Sequence, residues 1–139
     1  MPASSLKVED LVPHRPPMVL IDAVESVDLP SATLVASFTA REEWSGNWFA
    51  LEYMAQTAAA LAGAFDKAAG EAACRPGVLL GTRRLDLGIA RFVPGAKYRV
   101  KAVREYEDGD SAAFSCEIRE SGDGSGSSAC SATLTACRI

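Results

Sequence analysis

The sequence predicts an α+β domain in which one curved antiparallel sheet of about six strands wraps one long central helix. Three observations predict it. The segment Trp48–Ala69 (WFALEYMAQTAAALAGAFDKAA) is built of alanine, leucine and methionine, strong helix formers, with almost no polar face. On either side lie runs of period-two alternation punctuated by Leu29-Pro-Ser, Val93-Pro-Gly95 and Asp108-Gly-Asp turns. Those connections are short, which favours antiparallel pairing, because parallel strands need longer crossovers.

The helix is expected over about 48–69. Asn47 stands where a side-chain oxygen can cap the first free N–H groups, and Gly70 stands where a left-handed residue can close the last turn. A helix apolar nearly all round must be covered on most sides. Between Trp48 and Phe65 its only charged residue is Glu52, with Gln56 one turn further on. Glu52 is therefore expected to travel inward, and burying a carboxylate is costly unless it is paired or neutralised. Burial also favours its protonated form, which suits a proton donor.

Taken in order, Leu6–Val12 reads as a helical turn, and the prolines of Val12–Met18 fix an irregular segment. Met18–Asp28 and Ala32–Ala40 read as a strand pair, and Arg41–Asn47 as the loop into the helix. Val78–Leu87 reads as a third strand. Gly81 inside it marks a bulge or a close backbone approach. Lys97–Glu107, Ser111–Arg119 and Ser128–Ile139 complete a four-strand meander, with a flexible polar loop at Ser121–Ser127. An open sheet has an exposed edge, and a second subunit paired edge to edge would cover it.

The 139 residues suit one domain, 1–139. A net charge of −4 argues against nucleic acid as a partner. The N-terminus has no apolar core for a signal peptide, and the helix is too rich in alanine and too polar at Glu52 and Gln56 for a membrane span. The expected location is the cytoplasm, with no membrane association. Cys74, Cys116, Cys130 and Cys137 show no metal-ligand spacing and read as reduced thiols.

Three local patterns resemble one family. Leu11-Val-Pro-His-Arg-Pro-Pro-Met-Val-Leu-Ile-Asp22, Leu51-Glu-Tyr-Met-Ala-Gln56 and Ala90-Arg-Phe-Val-Pro-Gly95 are similar, in this order, to motifs of 3-hydroxyacyl-acyl-carrier-protein dehydratases. Phe49–Gln56 with Leu79-Leu-Gly-Thr-Arg83 looks most like the divergent aryl-polyene branch. The resemblance implies a hotdog fold, elimination of water from a 3-hydroxyacyl thioester on acyl carrier protein, no metal or redox cofactor, and a homodimer or a hetero-oligomer with a related hotdog subunit. It implies Glu52 as a catalytic residue. The family's loop histidine falls at Phe38, so His14, the only histidine, is the candidate for the second catalytic group. A structural role for His14 in its proline-rich loop stands beside that reading.

Elimination needs a base for the C2 proton, an acid for the departing hydroxyl and a group polarising the thioester carbonyl. Backbone N–H groups of Trp48–Ala50, at the positive end of the helix dipole, are candidates for the last role. Trp48, Phe49, Gln56 and Gly81 are candidates for substrate binding. For Gln56 that includes support by hydrogen bonding; Trp48, Phe49 and Tyr53 also read as core or tunnel wall. Arg83 and Arg84 stand where they would meet an acidic carrier or, equally, solvent. A thioesterase on the same fold and a non-catalytic partner subunit are the rival functions.

Overall fold

The structure, a computed structural model, describes residues 7–8, 19–70, 77–122 and 128–138. The strands are β1 (Ala23–Asp28), β2 (Thr33–Thr39), β3 (Gly77–Leu87), β4 (Lys97–Asp108), β5 (Ser111–Glu120) and β6 (Cys130–Arg138). They form one antiparallel sheet in the order β1-β2-β4-β5-β6-β3, packed on the long helix α1 (Phe49–Ala68).

Helix α1 is one residue shorter at each end than the sequence suggests. Gly70 closes it at φ +86° and donates to the carbonyl of Lys67. Asn47 does not cap the start by its side chain. Its Nδ2 donates to Ile89 O at 3.0 Å instead, and its backbone carbonyl accepts from Ala50 N–H. The loop before the helix contains a 3-10 turn at Glu42–Trp44.

The β1–β2 hairpin turns through Leu29–Ala32, with Ala32 N–H bonded to Leu29 O. Strand β1 begins at Ala23, later than the expected Met18, which lies outside the described residues. Asp22 N–H still reaches Ser37 O, but Leu20 N–H donates to the Gln56 side chain rather than to a strand. The alternation of β4 buries Tyr98, Val100 and Ala102, and Gly109 turns the β4–β5 hairpin at φ +60°.

The expected four-strand meander is a three-strand one, β4-β5-β6. Strand β3 pairs with β6 and lies at the sheet edge, while β4 pairs with β2. The reason lies in residues 88–96, which carry the chain past the start of α1. Phe92 N–H donates to Ser45 O, Gly46 bridges Arg91, and Gly95 N–H donates to Ala40 O. The Val93-Pro-Gly95 turn thus delivers β4 beside β2. The pairing of β3 shifts register between Leu79 and Gly81, which is the expected bulge.

Helix α1 runs along β4. Its first half carries Tyr53, stacked on Phe38 of β2 at 3.6 Å between ring centres, with Phe92 and Tyr98 closing the cluster edge-on and face-on. Its last half carries Phe65, beneath the guanidinium of Arg104 at 3.7 Å. Cys116 and Cys130 are buried free thiols, and Cys137 is free and half-buried; Cys74 lies outside the described residues. Among the described residues, no helix is long and apolar enough to cross a membrane.

Candidate active site

Glu52, Ala55, Ala59, Ala62 and Asp66 recur at helical spacing, so they form one stripe along α1. The stripe faces the β5-β6-β3 side of the sheet. Between them lies a cavity of about 250 Å³ lined by Glu52, Ala55, Ala58, Ala59 and Ala62 on the helix side. Leu79, Ala112, Phe114, Leu134 and Ala136 line the facing side.

Glu52 is half-buried, so it is less withdrawn from water than the sequence suggests. Its Oε1 accepts a hydrogen bond of 2.9 Å from Gln56 Nε2. Gln56 is itself fully buried, and its Oε1 accepts from Leu20 N–H at 2.8 Å. A backbone N–H can only donate, which fixes the amide oxygen of Gln56 toward Leu20 and its NH₂ group toward Glu52. The carboxyl oxygen facing Gln56 is therefore an acceptor. Any proton that Glu52 holds or transfers sits on the other oxygen.

The remaining candidates are placed as follows. His14 lies outside the described residues. Phe49 is half-buried, and Trp48 is 70% exposed on the protein surface rather than in the core. Gly81 is exposed on the edge strand. Neither Trp48, Phe49 nor Gly81 lines the cavity, whereas Glu52 does. Phe49 and Ala50 N–H groups are already engaged by the carbonyls of Gly46 and Asn47. Two of the three amides expected to polarise a carbonyl thus serve the helix turn. Tyr53 is core, and its hydroxyl donates to Trp44 O. Burial, then the charge of Asp22, push its pKa up to about 12. Arg83 and Arg84 are exposed on β3.

The far end of the cavity was not visible from the sequence. Arg138 of β6 donates to the buried Asp66 and to Ala62 O at 3.4 Å. Arg104 of β4 donates to Glu107 at 2.7 Å. The phase of Asp66 on the Glu52 stripe was the available signal.

A long helix enclosed by a six-stranded antiparallel sheet of this order is a hotdog fold, and the carboxylate beside its apolar cavity is a site suited to acid–base chemistry on an acyl group. A family model described as ApeP-like, ApeP dehydratase, matches residues 6–138, so the chain belongs to the ApeP-like dehydratase family. Among solved structures, the chain is similar to the dehydratase heterocomplex ApeI:P from Xenorhabdus doucetiae, with TM-score 0.84 and 24% identity over 96% of this chain and 91% of that one. It is also similar to a hypothetical thioesterase with coenzyme A from Streptococcus pneumoniae, with TM-score 0.64 and 11% identity over 84% of each chain. A third likeness is to a putative thioesterase from Ralstonia eutropha, with TM-score 0.62 and 16% identity over 84% of this chain and 83% of that one. No curated protein matches the chain.

Proposed function

We propose that this dehydratase removes water from a 3-hydroxyacyl thioester carried on acyl carrier protein, in cytoplasmic fatty-acid or aryl-polyene biosynthesis. The observation that carries the reading is the Glu52 carboxyl, steered by Gln56 toward an apolar cavity, in a chain of a dehydratase family. His14 takes the C2 proton. Glu52 gives its proton to the C3 hydroxyl, which leaves as water, and the C2–H electron pair becomes the new C2–C3 double bond.

The test is turnover of a 3-hydroxyacyl thioester, read by enoyl absorbance. Glu52→Gln is expected to lower kcat by about 10²–10⁴, the usual worth of a positioned acid or base. Full activity in that variant removes the mechanism. Release of free thiol in place of enoyl product assigns a thioesterase.

A second reading, a partner subunit inactive alone, is supported by the likeness to a heterocomplex and by the edge strand. Strand β3 holds Val78, Leu80 and Leu85 at 45%, 60% and 46% exposure, an apolar edge suited to pairing with a related hotdog chain. It predicts no turnover until that chain is added. Equal activity with and without it dismisses the reading.

A further inference from the structure

The two ends of the cavity differ in character. From Glu52 the helix side runs through Ala55, Ala58 and Ala59 to Ala62, with no side chain larger than a methyl group. Beyond Ala62 the apolar surface stops. Arg138 is held there by Asp66 and by the carbonyl of Ala62, and Arg104 is held over the Phe65 ring and by Glu107. Asp110 also lines this end. The Arg104 and Arg138 side chains are mostly covered, at 20% and 21% exposure, whereas Glu107, Gly109 and Asp110 beside them are exposed, so the apolar channel ends there at a charged rim.

We propose that Arg104 and Arg138 are specificity-determining residues that end the acyl channel and limit its occupant to about ten to twelve carbons. The inference rests on the reading of Glu52 as the group that meets the reacting carbons, because the chain must then point toward the arginines. Glu52 to Ala62 spans about 15 Å of helix. Carbon–carbon bonds of about 1.5 Å advance an extended chain by roughly 1.3 Å each, which gives that carbon count. A longer chain would have to displace the arginines from their carboxylates or emerge past them into water, and neither gives what a buried methylene returns.

The channel is tested by titrating the full-length protein with non-reacting S-alkyl pantetheine thioethers of about four to about sixteen carbons. Affinity is expected to rise about fourfold per methylene up to the limit and then to level or fall. Ala62→Leu, which adds bulk just before the arginines, is expected to move the break to shorter chains by about two to four carbons. Its melting temperature is expected to stay at or above that of the parent, because the new side chain enters existing space. Arg138→Met is expected to move the break to longer chains. Affinity that climbs steadily through the longest thioether, or a break that stays put in Ala62→Leu, overturns the proposal. Failure of the dehydratase reading is seen separately, as an unimpaired Glu52→Gln variant.

Discussion

Gln56→Leu isolates the two hydrogen bonds that set up the site. The side chain is fully buried, so water does not replace what the leucine removes. Leu20, 3% exposed, would keep a buried N–H without an acceptor, at about 1–3 kcal/mol. The bond from Nε2 to Glu52 adds about 1 kcal/mol, reduced from its charge-assisted value because Glu52 is only half-buried. The sum is about 2–4 kcal/mol, or about 6–16 °C in melting temperature for a chain of this size. Urea unfolding followed by circular dichroism measures it. A loss below about 0.5 kcal/mol would refute the reasoning, since it would mean that neither bond is sheltered from water. Glu52→Gln is the control. It keeps a carbonyl oxygen for Gln56 Nε2 to bond, so its stability is expected within about 1 kcal/mol of the parent while activity falls.

Gln56→Glu keeps the acceptor for Leu20 but replaces the hydrogen-bond donor to Glu52 with a second carboxyl, and two like charges at that distance repel. By urea unfolding, that variant is expected to be near parental stability at acid pH and to weaken as pH rises toward neutrality. Phe38→Ala removes a ring that touches Tyr53, Phe92 and Tyr98 and is expected to cost about 3–5 kcal/mol, read as a urea midpoint shift. Alkaline stability follows from groups whose folded pKa lies above the unfolded one: burial raises the Cys116 thiol to about 12 and Cys130 to about 11, and Tyr53 sits at about 12. Their contribution is intact below about pH 9 and is lost as pH rises from about 9 to about 12, because only the unfolded chain ionises early; a urea midpoint unchanged up to about pH 11 would contradict this. Leu80→Lys on the β3 edge is expected to leave the circular dichroism spectrum intact and to weaken subunit association at least about tenfold by sedimentation; unchanged association would remove the edge from the interface.

Helix α1 was legible because its composition leaves no other choice, and its end was legible because Gly70 supplies the left-handed residue. Strand limits in β2, β4 and β5 follow alternation closely. Sheet order did not, because a turn sequence states that the chain reverses but not which strand it reverses onto. The hydrogen bonds of residues 88–96 to Ala40 and Ser45 decide that, and no local pattern encodes them. The same holds within the site. Glu52 and Gln56 lie one helical turn apart and could be paired by eye, whereas Arg138 and Asp66 are 72 positions apart. Trp48 misled for a different reason. An aromatic residue opening an apolar helix reads as core, but this one precedes the first full turn and folds back over Gly46, where a side chain would collide with its ring.

The cavity follows from how unevenly the sheet covers one apolar helix. On the β2–β4 side, large meets large: Phe38 stacks on Tyr53, and Tyr98 stacks on Phe38. On the β5–β6 side the helix offers only Ala55, Ala58, Ala59 and Ala62 to Ala112, Phe114, Leu134 and Ala136, and a cavity is left between them. A close-packed core normally sets large residues opposite small ones. Alanine stabilises the helix without side-chain entropy cost, and here the same residue keeps one face of it open. Glu52 lies at the start of that open stripe and Asp66 at its end, so one helical phase places a reactive carboxyl, a smooth apolar wall and a charged stop in a single line.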